Sequence, residues 1–203
     1  MSRFPLYVAL GLVASLSTAA RAQTEEASRW GGSSVDSPES VRTQRRFSLL
    51  GETGWNSLSG TGVVGAFNAT AHVAFDVGLG LGLGGPKVGA RFRFNLLTGN
   101  LTPFLGIGAM REKGLEGDLA LHSDEANTPR IHVSPSTFVQ AVTGLDWTAG
   151  SGFHLLFTVG YARRLTDNVN YVGGRAPTHD ERDAWRIVEG SGLSTSFALG
   201  YAF

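Results

Sequence analysis

The feature that most constrains this chain is a period of two. In its last segment Leu193, Thr195, Phe197, Leu199, Tyr201 and Phe203 share one parity, and Ser194, Ser196, Ala198, Gly200 and Ala202 share the other. A β-strand throws successive side chains to opposite faces, so the pattern predicts a strand with one bulky apolar face and one small, polar face. The alternation recurs in Val88, Ala90, Phe92, Phe94 and Leu96 against Lys87, Gly89, Arg91, Arg93 and Asn95. It recurs again in Phe75, Val77, Leu79 and Leu81 against Asp76, Gly78, Gly80 and Gly82, and once more from Phe153 to Ala162. Weaker alternation marks further strands near 46–56, 62–72, 101–112 and 136–147.

Eight strands result, an even number, as a closed antiparallel barrel with both ends on one side requires. The connectors point the same way. On one side they fall near 72–75, 98–100 and 148–151 and are tight, two of them carrying glycine. On the other side lie short links near 57–61 and 83–86, then long ones near 113–135 and 165–191. Gly84, Gly85 and Pro86 read as a turn, because proline cannot continue a central strand. Short turns on one side and longer loops on the other are the asymmetry of a transmembrane barrel. Each strand offers roughly 10 residues, the length a tilted strand needs to cross the hydrocarbon.

The alternative is a soluble eight-stranded barrel with its apolar face inside. Its outer coat would then be mostly Gly, Ala, Ser and Thr, drawn from a chain with 28 glycines and only 17% charged residues. That is a poor solvent coat but a good crowded lumen, so the bulky face is expected to meet lipid. The expected fold is therefore all-β, an eight-stranded antiparallel up-and-down transmembrane β-barrel over 47–203.

Residues 1–22 read as a cleaved signal peptide. Arg3 begins it, Pro5 to Ala20 is almost wholly apolar or small, and Ala20-Arg21-Ala22 supplies a small-x-small cleavage site. Its removal leaves 15 basic and 17 acidic residues, so nothing suggests a nucleic-acid partner. Residues 23–46 are polar without apolar period and read as a flexible periplasmic leader. With no cysteine there is no disulfide, thiolate metal site or thiol nucleophile.

With Leu199, Tyr201 and Phe203 at one parity, and Thr102-Pro103-Phe104-Leu105-Gly106-Ile107-Gly108 as a Pro-aromatic-x-Gly strand, the chain resembles the small outer-membrane barrel family that includes OmpA and OmpX. The resemblance spans about Phe47 to Phe203, more as pattern than as motif. It implies a Gram-negative outer membrane as location, with membrane lipid and lipopolysaccharide as surroundings. It also implies that Leu199, Tyr201 and Phe203 are the signal read by the barrel assembly machinery.

Small barrels are only just wide enough for their own side chains. Glu52, Asp76, Arg91, Arg93, Asn95, Gln140, Asp146 and His154 all take the inward parity. Buried charges need partners. Glu52, Asp76, Arg91, Arg93, Gln140 and Asp146 are therefore expected to form a lumen charge network that plugs the barrel. The arginines are expected to lie beside glycines drawn from Gly78, Gly80, Gly106 and Gly108, and to reach towards Glu52 or Asp76. A structural or surface-interaction role follows, with a narrow porin-like ion channel as alternative and a lipid-modifying enzyme behind it. Outer-membrane lipid A deacylases are similar to His132-Val133-Ser134 in using His and Ser. Pro135 departs from any such motif, and Asp146 would lie roughly 40 Å from Ser134 in extended chain, so no catalytic residue is expected. His179-Asp180-Glu181 matches no closed metal site, and neither metal nor cofactor is expected. Trp55, Trp147 and Tyr161 fall near strand ends, where an aromatic girdle belongs, and the charged long loops are candidates for a surface ligand.

Overall fold

Alternating side chains and glycine-punctuated turns build a ring of strands. A computed structural model describes residues 40–114, 118–120, 130–166, 169–173, 178 and 190–203. A short helix α1 (Val41–Gln44) leads into β1 (Phe47–Trp55), β2 (Thr61–Asn68), β3 (Val73–Gly82), β4 (Gly85–Asn95) and β5 (Leu101–Glu112). Then come β6 (Asp118–Ala120), β7 (Arg130–Val133), β8 (Ser136–Thr148), β9 (Phe153–Arg164), β10 (Val169–Gly173) and β11 (Gly192–Ala202). Eight strands close in the order β1-β11-β9-β8-β5-β4-β3-β2, with all neighbours antiparallel. Closure is completed by β1, which pairs Ser48 with Ala202 on one side and with Ala66 on the other.

The two faces of the ring differ sharply. Phe75, Val77, Leu79, Ile107, Phe157, Tyr161, Leu193 and Phe197 point outward and are 47% to 65% exposed. Asp76, Arg91, Arg93, Asp146, His154, Ser194 and Ser196 point inward and are buried. An apolar layer of Leu50, Leu58, Val64, Phe104, Val142 and Leu156 crosses the centre of the ring.

Several boundaries differ from the sequence reading. The turn between β2 and β3 lies at 69–72 rather than 72–75, because the Thr70 hydroxyl accepts the amides of His72 and Val73 and closes the turn early. Gly85 and Pro86 belong to β4, leaving Leu83-Gly84 as the turn. Pro86 is tolerated as the second residue of its strand, at the rim. The two long links are not purely loops: β6, β7 and β10 form a second, three-stranded antiparallel sheet in the order β10-β7-β6.

The flexible-leader expectation is corrected for residues 40–46. The Ser40 carbonyl accepts the Thr43 amide at 2.8 Å and the Val41 carbonyl the Arg45 amide at 2.8 Å, which winds α1. Arg42 then inserts its guanidinium at the short-turn end of the barrel, where the Gly99 carbonyl accepts it at 2.7 Å and 2.6 Å. Residues 1–39, and with them the proposed cleavage site, lie outside the described residues.

Candidate functional site

The site is the lumen itself. On β4, Arg91 and Arg93 share the inward parity. On β3, Asp76 is the register partner of Arg91. Its carboxylate accepts Arg91 Nε at 2.8 Å, Arg93 Nε at 2.8 Å and Arg93 Nη2 at 3.0 Å. Arg93 Nη1 also donates to Asp146 of β8. Asp146 further accepts His154 Nε2 of β9 at 3.1 Å and the Thr148 hydroxyl at 3.3 Å. Beyond the imidazole, His154 Nδ1 lies 2.9 Å from the Ser48 hydroxyl of β1. The imidazole bridges the Asp146 carboxylate and the Ser48 hydroxyl. Two guanidiniums thus balance two carboxylates, and one connected network ties β1, β3, β4, β8 and β9 across the interior. The Phe104 ring supports both arginines, at 5.9 Å from Arg91 and 5.2 Å from Arg93.

The glycines beside the arginines lie on one side only. Arg91 and Arg93 are paired with Gly108 and Gly106 on β5, but with Asp76 and Ala74 on β3. Gly78 faces Gly89 instead. The space they leave is filled by the β1–β2 turn, which folds inward and buries Leu58 completely. A Cβ on Gly89 would stand 2.8 Å from Leu58 Cδ1, and one on Gly78 3.1 Å from Leu58 Cγ. Gly60 lets the chain turn back out, with φ of +72° and no room for a Cβ against the Leu81 carbonyl. Glu52 pins this turn: its carboxylate accepts the Ser59 amide at 2.8 Å, the Ser59 hydroxyl at 2.6 Å and the Ser196 hydroxyl at 2.9 Å.

Four of the six expected network residues therefore meet, namely Asp76, Arg91, Arg93 and Asp146. Glu52 faces the same lumen but serves the turn, not the arginines. Gln140 is buried with its Nε2 unpartnered, and its Oε1 lies 3.5 Å from the Ser194 hydroxyl, so it stands apart from the ions. Asn95 donates to the Ala71 carbonyl at the short-turn end. Arg42 closes that end from below. Burial pulls its pKa below the ordinary arginine value, and the negative charge of Asp146 opposes that shift.

Sequence reasoning missed three things. Lys87 and Glu112 form a buried ion pair at 3.0 Å near the long-link end, with Lys87 over the Phe138 ring at 5.6 Å. Glu112 ends the expected strand 101–112 beside a long link, and its inward parity with Gly108 and Met110 was the signal that could have found the pair. The inserted turn and the role of Arg42 also escaped notice. Ser48, His154 and Asp146 bring a serine, a histidine and an acid into successive contact, yet all three are buried and Asp146 is already held by Arg93. His132, on β7, belongs to the other sheet. Among the described residues no three acidic or histidine side chains converge on a metal position; His179, Asp180 and Glu181 lie outside those residues.

Leu199, Tyr201 and Phe203 all point outward. The Tyr201 hydroxyl donates to the Ser151 carbonyl at 2.7 Å, its ring packs edge-on to Phe203 at 5.3 Å, and the Phe203 amide donates to the Phe47 carbonyl at 2.7 Å.

Fold and site together define a class: a small, closed, eight-stranded β-barrel with its bulky apolar side chains outward and its charged ones turned into the interior. No protein-family model and no curated protein matches the chain.

Proposed function

We propose that the chain is an integral outer-membrane β-barrel with a structural or surface-interaction role, neither channel nor enzyme. The observation that carries this reading is the outward face. Bulky apolar side chains cover it on all eight strands while the charges turn inward. A contiguous apolar surface of this extent is incompatible with a water-borne monomer, and a hydrocarbon surround removes that cost. The export signal read at residues 1–22 supports the same destination. The long links, with their own small sheet, are the parts free to meet a surface ligand. A filled lumen favours a scaffold over a pore, since Leu58, Phe104 and Leu156 stack an apolar layer against the ion network.

The test is refolding of the chain without residues 1–22 into liposomes, followed by planar-bilayer recording. Heat-modifiable electrophoretic migration and protease protection are expected to show insertion, and the inserted protein is expected to give no discrete openings. Reproducible openings would replace the scaffold with a narrow channel. A monomer that stays in water without detergent would sink the membrane reading.

A further inference from the structure

The outward face of the barrel carries two charged side chains, Arg111 on β5 and Arg163 on β9, and both are exposed cations. Neither is ion-paired among the described residues. Both sit at the long-link end. β8 separates them, with Arg111 paired to Thr137 and Arg163 to Val139. Two strand spacings and an offset of two residues place their Cα atoms about 12 Å apart.

Each arginine tops an apolar groove. Arg163 closes one of about 560 Å³ lined by Phe92, Ile107, Val139 and Tyr161. Arg111, with Lys113 beside it, closes another of about 340 Å³ lined by Leu79 and Val88. A cation above an apolar groove is complementary to a phosphate above an acyl chain. Two such units on one rim fit a lipid that has two separated phosphates on one rigid, several-chained head. A phospholipid with a single phosphate meets only one of them.

We propose that this face is a binding site for a bis-phosphorylated, multiply acylated disaccharide lipid of the outer leaflet, held by Arg111 and Arg163 over the two grooves. The proposal rests on the outer-membrane reading and deepens it by placing the lipid contact at named residues.

The experiment uses the full folded chain in detergent micelles, titrated with hexa-acylated bis-phosphoryl lipid A and followed by native mass spectrometry. Insertion into liposomes is scored separately. Saturable one-to-one binding is expected, weakened at least about tenfold by R111Q with R163Q, as the loss of two charge-assisted contacts requires. R111K with R163K should retain most of the affinity, because the charge remains. Both positions are exposed, and heat-modifiable migration verifies that the variants fold. Equal binding by the glutamine variant, by fully dephosphorylated lipid A or by phosphatidylglycerol would overturn the site. If any of these occurs while the protein inserts normally, the lipid site alone falls. If the chain does not insert, the membrane reading falls and takes the site with it.

Discussion

Asp76 is the residue that holds both lumen arginines, since it accepts three bonds from two guanidiniums with no solvent to share the load. Removing one partner of a buried pair leaves uncompensated charge, at a cost of about 3–5 kcal/mol. Asp76→Asn should therefore lower unfolding free energy by that order in denaturant titrations in micelles. Adding Arg91→Gln should recover part of the loss, and strict additivity of the two changes would argue against the shared network. Much at this scale was legible: parity alone turned Asp76, Arg91, Arg93 and Asp146 inward. The choice between Glu52 and Asp76 as arginine partner was not, because it depends on register across strands and on what else competes for each carboxylate. Glu52 is taken by the Ser59 amide, a donor with no signature in the side-chain sequence.

Among the elements, the strands were readable and the insertions were not. The span 101–112 coincides with β5, and the others differ by a few residues where a turn residue such as Thr70 decides the end. The stretch Asn56-Ser57-Leu58-Ser59-Gly60 looks like an ordinary exposed link. Its burial becomes intelligible only with Gly78 and Gly89 beneath it, on strands it does not adjoin in sequence. Gly78, taken as space for an arginine, is space for a turn, whereas Gly106 and Gly108 do flank Arg93 and Arg91. Likewise β6, β7 and β10 are too short and too embedded in charged links to show a period. Gly89→Val should push the turn out, because its added carbons overlap Leu58. Overpacking of this kind costs about 1–3 kcal/mol. The Ser59 amide should then lose protection in hydrogen exchange, and Leu58→Ala on the same background should restore it only in part, because the Leu58 carbonyl stands as close to the added Cβ as the side chain does. Unchanged protection in Gly89→Val would mean that the turn is held by Glu52 alone.

For the whole molecule, the side chains that enter the lumen lie in successive layers. Arg42 blocks the short-turn end, the ion network and Phe104 follow, then Leu58 with Glu52, and the Lys87–Glu112 pair lies towards the long links. Arg91→Ala with Arg93→Ala should consequently reduce stability while leaving bilayer recordings silent. Current appearing in that variant would show that the arginines are the sole barrier. The joining of β1 to β11 has a further meaning for how the molecule is made. A ring has no unpaired backbone, but every stage short of the ring has two rows of it, one on β1 and one on the newest strand. A chain interrupted before Gly192 is thus a sheet with two adhesive borders and nothing of its own to join them. Such a fragment would offer both borders to its neighbours, so while the barrel assembles its vulnerability to self-association would end only when the last strand meets the first.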